Sequence, residues 1–258
     1  MKKTLYMTIE SCKWPLQAVV FDKDGVLIDQ TDLAYHIHLA RRQVFQEAYG
    51  DASRRVLDQT MGVGPVVDLD GPSVMASLDH ALVIMSSVIY QITKNPWFQC
   101  LQNAQDLMTE ADNRVPVGSA RLLPGARDLL RCMFHSGILL GLVTADHDRR
   151  TRSQLQALNI SRFFDQVVTA DDTVRQKPHP DPLLHVLDKW RCSPADVILI
   201  GDTANDWKMG HAVNVRTVAM CPRLVTHPGV VATIHNLSQV HITGQPPITD
   251  RTPHPQES

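Results

Sequence analysis

Five short apolar segments constrain this chain more than any other feature. They are Ala18-Val19-Val20-Phe21, Ile138 to Val143, Val167-Val168-Thr169, Val197 to Ile200 and Val215 to Ala219. Each is nearly continuous in apolar residues rather than alternating, the pattern of strands buried on both faces of a parallel sheet. Helical periods precede the second of them and separate those that follow. Gly125 to His135 carries Leu129, Leu130 and Met133; Thr151 to Leu158 carries Leu155 and Leu158; Pro182 to Trp190 carries Leu183, Leu184 and Leu187. A short helix is expected after Asp202. Strands alternating with helices imply an α/β fold with right-handed crossovers.

The interval between the first two strands, Asp29 to about Ser119, is too long for a crossover. Within it Leu33, Ile37, Ala40 and Val44 share one helix face. So do Val74, Leu78, Leu82, Met85, Ile89 and Ile92, and again Phe98, Leu101, Ala104 and Met108. Gly62 to Pro72 is rich in glycine and proline and reads as a loop. The expected organisation is a core formed by residues 14–29 and 120–241, with an all-helical insert at 30–119. Such an insert leaves the carboxyl end of a parallel strand, where ligands bind, so it is expected to act as a lid or cap. The segment before Trp14 reads as a leader to the first strand. Residues 242–258, with four prolines, read as a disordered tail.

Composition excludes several classes. The 258 residues are 43% hydrophobic with a formal net charge of −2, which gives no electrostatic reason to expect a nucleic-acid partner. No apolar run reaches the ~20 residues of a membrane span; the longest, Ala81 to Tyr90, is broken by Ser86 and Ser87. The five cysteines are widely spaced with no CxxC pair, which favours a reduced, cytoplasmic protein over a zinc site. A monomer or a homodimer is expected.

Chemistry-bearing residues follow the strands. In Phe21-Asp22-Lys23-Asp24-Gly25 a strand stops at two carboxylates. Two such groups repel and call for a divalent cation or a shared proton, or else they merely cap an acidic turn. Gly25 allows the backbone to turn and approach a ligand. In Gly201-Asp202-Thr203-Ala204-Asn205-Asp206 two more carboxylates lie four residues apart near a helix start, as ligands or as a simple cap. Lys177, in Arg175-Gln176-Lys177-Pro178-His179-Pro180, sits on a proline-stiffened loop that can aim it; a plain surface lysine is the bland reading. Thr144 ends a strand and offers a hydroxyl to an anion or to a turn. These elements converge on one sheet edge. Four acids, one cation and one hydroxyl suit Mg²⁺ and a phosphoryl group.

The ordered motifs FDKDGVLID, VTAD, KPHPDP and GDTANDWKMG resemble those of the haloacid dehalogenase superfamily of phosphotransferases. The likeness spans about Gln17 to Asp29 and Leu122 to Met220, and the chain resembles the capped branch of phosphoglycolate phosphatase and β-phosphoglucomutase. It implies a Rossmann-like parallel sheet of order 5-4-1-2-3 with the helical insert as the cap. It implies Asp22 as nucleophile, Asp24 as acid/base, and Thr144 and Lys177 as phosphoryl-binding catalytic groups. Gly25 and Ala145 fall in the substrate-binding loops. Asp22, Asp24, Asp202 and Asp206 are then expected around Mg²⁺. The substrate class implied is a small phosphomonoester. A β-phosphoglucomutase-like transferase, or a non-catalytic protein that binds phosphorylated ligands, are the alternatives.

Two departures stand out. Thr144 is followed by Ala145 where the family usually has Asn, and Asp146 is not expected to replace that support at an anionic site. Trp207 stands where small or apolar residues are common and is expected in the core. Asp24 argues against the dehalogenase branch. The insert's single lysine, Lys94, argues against phosphonate cleavage by a Schiff base. His36 and His38 are noted as residues able to reach the site if a cap closes.

Overall fold

A computed structural model describes residues 4–64, 68, 71–76, 78–115 and 120–244. The strands are β1 (Leu5–Ile9), β2 (Cys12–Leu16), β3 (Ala18–Phe21), β4 (Leu139–Val143), β5 (Gln166–Val168), β6 (Val197–Gly201), β7 (Arg216–Met220), β8 (Val230–Ile234) and β9 (His241–Thr243). The helices are α1 (Gln30–Tyr49), α2 (Asp51–Met61), α3 (Pro72–Met75), α4 (Leu78–Thr93), α5 (Trp97–Arg114), α6 (Ala126–His135), α7 (Asp148–Ala157), α8 (Asp181–Trp190) and α9 (Ala204–Ala212).

Six strands form a parallel sheet in the order β5-β4-β3-β6-β7-β8. Read from β7 to β5, the five strands expected from sequence stand in the order 5-4-1-2-3; β8 extends the sheet beyond β7. All four residues of β3 and all five of β6 are buried, as expected where helices cover both faces. Val20, Val143, Leu183, Val186, Leu199 and Met209 form part of one core cluster. Phe21 pairs with Leu142 of β4 and Ile200 of β6. That register brings the residues after three strands, beginning with Asp22, Thr144 and Asp202, to one edge. The chain passes from one side of β3 to the other between β5 and β6, so this edge holds the topological switch point where open α/β sheets bind ligands.

The chain divides into two compact units: Met1–Asp29 with Arg121–Ser258, and Gln30–Ala120. The second unit is helical. Val44, Phe45, Leu57, Met85, Ile89 and Ala104 meet in its core. The buried face of α5 is Cys100, Ala104, Met108 and Ala111. Phe98, expected on that face, is 70% exposed, because it lies about 200° around the helix from Cys100, where the packed stripe begins. No helix among the described residues is long and apolar enough to cross a membrane.

The amino-terminal segment departs from the leader expected there. β1 and β2 form an antiparallel hairpin, and β1 also pairs with β9. Met7 is fully buried, so apolar side chains on alternate positions bind this small sheet to the first unit. β9 claims residues 241–243, the start of the expected tail; 245–258 lie outside the described residues.

Gly210 of α9 marks how tightly helix and sheet meet. A Cβ there would lie 2.3 Å from Thr217 Oγ1 and 3.2 Å from Leu199 Cδ2. Alanine gains about 1 kcal/mol in helix propensity, against roughly 1–3 kcal/mol for overpacking. Gly210→Ala is expected to lower the thermal midpoint by several degrees; an unchanged or raised midpoint would contradict this packing.

Candidate active site

The edge beyond β3 and β6 gathers three carboxylates. One oxygen from each of Asp22, Asp202 and Asp206 lies within 4.8 Å of the others, an arrangement that could hold a metal ion. Asp22 leaves β3 with its N–H donated to Ile200 O (2.9 Å), which extends the ladder one residue past the strand. Asp206 is fully buried. Its Oδ2 accepts hydrogen bonds from Thr203 N–H (3.2 Å) and Thr203 Oγ1–H (2.6 Å) at the start of α9. Gly201 makes this approach possible: a Cβ there would sit 2.3 Å from Asp206 Cβ. The structure thus makes Asp206 a buried member of the cluster rather than a solvated end of the helix.

Lys177 bridges two of the acids. Its Nζ donates to Asp22 Oδ1 (2.5 Å) and Asp206 Oδ1 (2.8 Å). Burial pulls the ammonium pKa down, but Asp206 and Asp22 outweigh it and hold the lysine charged, above its ordinary value. Its loop precedes α8, where Pro182 occupies the first turn, and the Lys177–Pro178 peptide is cis. Three carboxylates face one ammonium. Burial is the main cause that pushes Asp22 up to about 7; Lys177 opposes it and Asp206 adds to it. Burial, Asp22 and Asp206 likewise raise Asp202 well above the usual range.

Asp24 stands apart from the other three. Of the four acids expected around a metal, Asp22, Asp202 and Asp206 form the group, while the Asp24 carboxylate lies against Lys23, with Nζ 3.2 Å from Oδ2. Gly25 supplies the turn with φ +77°, and its N–H donates to Ile28 O (2.8 Å). Thr144 is buried at the end of β4. Its Oγ1 accepts the Asp146 N–H (3.1 Å), so the hydroxyl keeps a proton to donate. Ala145 follows it, partly exposed.

Sequence reasoning missed Lys23. It is fully buried and donates to Asp146 Oδ2 (2.6 Å) and Gln154 Oε1 (2.5 Å). Arg150 Nε reaches both oxygens of Asp146, at 2.8 and 2.9 Å. Asp146 is therefore a cation partner, held below the ordinary carboxylate range by Lys23 and Arg150 despite its burial. An alternation of apolar and charged residues gives no sign that a lysine between two aspartates points inward. Trp207 is not a core residue: it is partly exposed and its indole N–H donates to Gly201 O (3.3 Å). His38 is buried in the helical unit, with Nε2 2.7 Å from Asp58 Oδ1, and burial lowers its pKa.

Residues 19–220 match the family of haloacid dehalogenase-like hydrolases. The chain belongs to that family. A phosphoglycolate phosphatase of Shigella boydii is 34% identical to this hydrolase over 207 residues, 80% of this chain and 81% of that protein. One from Nitrosospira multiformis is 27% identical over 199 residues, 77% and 80% of the two chains. Among solved structures, a Thermotoga maritima protein described as a beta-phosphoglucomutase aligns with a TM-score of 0.60 at 25% identity, covering 85% of this chain and 94% of that one. A subfamily IA hydrolase from Geobacter sulfurreducens aligns with a TM-score of 0.59 at 22% identity, covering 86% and 93%.

The raised Asp22 pKa fixes the sign of a pH effect in this hydrolase. Between the ordinary aspartate value of 3.8 and about 7, the folded state binds a proton that the unfolded state has released. Stability from this group is present at low pH and is lost as pH rises through 7. In chelator, wild type should lose stability relative to Asp22→Asn between pH 5 and 8, by a few kcal/mol at about 1.4 kcal/mol per pKa unit. Thermal melts across pH measure it, and a pH-independent difference between the two proteins would refute the raised pKa.

Proposed function

We propose that this hydrolase is a Mg²⁺-dependent phosphatase that cleaves a small phosphomonoester through an aspartyl-phosphate on Asp22. The observation that carries the reading is the Lys177 bridge between Asp22 and Asp206, inside a three-carboxylate cluster at the switch point of the sheet. A lone buried ammonium cannot offset three carboxylates, and hard oxygen donors suit Mg²⁺. Asp22, Asp202 and Asp206 would hold the ion, which when bound offsets charge on the carboxylates and the phosphoryl oxygens.

Each residue then has a step. Lys177 and the Thr144 hydroxyl orient the phosphoryl group, with the Gly25 and Ala145 loops beside it. An Asp22 oxygen attacks phosphorus, a new O–P bond forms, and the ester P–O bond breaks. Asp24 gives its proton to the departing oxygen. Water then attacks the phosphoaspartate; Asp24 takes the water's proton, the Asp22 O–P bond breaks, and inorganic phosphate leaves. Dividing one displacement into two is the gain of covalent catalysis, and the remaining work is positioning and charge stabilisation.

The curated relatives make phosphoglycolate the first substrate to assay. The Thermotoga likeness favours a second reading, transfer of the phosphoryl group to a sugar hydroxyl instead of water; release of inorganic phosphate separates the two. The helical unit, Gln30–Ala120, is read as the specificity-setting cap. All five cysteines are free, which fits a reducing compartment such as the cytoplasm.

Asp22→Asn keeps the side-chain shape and removes the attacking charge. Phosphate release should fall by at least ~10³-fold, and a variant with a tenth of wild-type turnover would exclude Asp22 as the nucleophile. Activity should also vanish in excess chelator and return with Mg²⁺. Ca²⁺, which prefers more ligands at longer distances, should restore it poorly; full activity in chelator would sink the metal assignment.

A further inference from the structure

The acid/base role of Asp24 requires its carboxylate to hold one orientation through two proton transfers. Its Oδ1 is buried without a hydrogen-bond partner, and its Oδ2 lies 3.2 Å from Lys23 Nζ. Lys23 has three ammonium protons and three acceptors: Asp146 Oδ2 at 2.6 Å, Gln154 Oε1 at 2.5 Å and Asp24 Oδ2. The ammonium is saturated and cannot swing toward a substrate. Its two other acceptors come from residues 123 and 131 positions away. Asp146 sits where the chain leaves β4, and Gln154 is a buried residue of α7.

Asp146 is itself held from several sides. Arg150 reaches both of its oxygens, and its Oδ1 accepts the His147 N–H (2.8 Å). Its own N–H donates to Thr144 Oγ1. One aspartate thus sets the Thr144 hydroxyl through its backbone and the Asp24 carboxylate through Lys23. The chain lacks an amide side chain after Thr144, and this ionic link ties together the two loops that handle the phosphoryl group.

We propose that Lys23 is a positioning residue: clamped by Asp146 and Gln154, it fixes the Asp24 carboxylate in the orientation from which Asp24 exchanges protons. This rests on the phosphatase reading above and adds a residue to it. Burying a lysine costs stability unless every proton is matched, and here one of its three matches is the acid/base itself. A purely structural ion pair would be indifferent to what leaves the phosphorus. A positioning residue would not, because only poor leaving groups need a proton from Asp24 as the ester bond breaks.

The test measures kcat/KM for 2,4-dinitrophenyl, 4-nitrophenyl, phenyl and alkyl phosphates in wild type, Asp24→Asn and Lys23→Met. This parameter covers events up to leaving-group departure. Lys23→Met should lose about 10²-fold on alkyl esters and less than about threefold on the dinitrophenyl ester, paralleling a steeper Asp24→Asn series. Lys23→Met/Asp146→Asn removes one charge of each sign, keeps the shape of Asp146, and is read the same way if the single variant does not fold. An equal loss across the esters, or no loss, overturns the proposal while leaving the phosphatase reading intact. Failure of both variants to fold assigns Lys23 to the scaffold and also overturns it. A wild type inactive on every ester overturns instead the phosphatase reading on which it rests.

Discussion

Three carboxylates held within 4.8 Å of one another repel, and the rest of this structure depends on how that repulsion is contained. Lys177 offsets part of it by contacting two of the acids at once. Thr203 absorbs more by donating twice to Asp206. Burial first, and then the neighbouring carboxylates, raise the pKa values of Asp22 and Asp202. A site that folds with surplus negative charge is prepared for a cation, because binding one relieves a cost the fold already carries.

Only a rigid scaffold can keep such groups together. β3 and β6 are buried along their whole length, and their pairing places Asp22 beside the end of β6. Asp22 and Asp202 are thus extensions of strands that cannot shift without breaking the ladder, and Asp206 is held in the first turn of α9. The same economy governs Gly201, where any side chain would collide with Asp206. Apolar strands carry the stability, and the polar groups at their ends use that stability to tolerate strain.

A second ionic assembly lies beside the first and differs from it in kind. In the Lys23, Asp146 and Arg150 group, cations match the acid: Asp146 stays well below the ordinary carboxylate range. Buried ion pairs of this sort contribute little net stability, yet removing one partner is costly. Their value lies in fixing geometry, and here the geometry belongs to the loops that carry Asp24 and Thr144.

The sequence by itself determined the parallel sheet, its helical insertion and the residues at the strand ends. Continuous apolar runs and strand-end carboxylates are local signals, set by burial on both faces and by the turn that follows. It did not reveal β8, a mostly half-buried strand at the sheet's edge that pairs on one side only. It did not reveal the β1–β2 hairpin either, since β1 is completed by β9 more than two hundred residues away. Lys23 was legible as a residue but not as a buried one. Its partners at 146 and 154 meet it only after β3 and β4 pair, and no periodicity in the chain encodes which way a single loop lysine turns. Likewise only the tertiary structure shows the Asp24 carboxylate against the Lys23 ammonium and outside the group of the other three acids, since side-chain direction after a strand is not encoded by spacing in the chain.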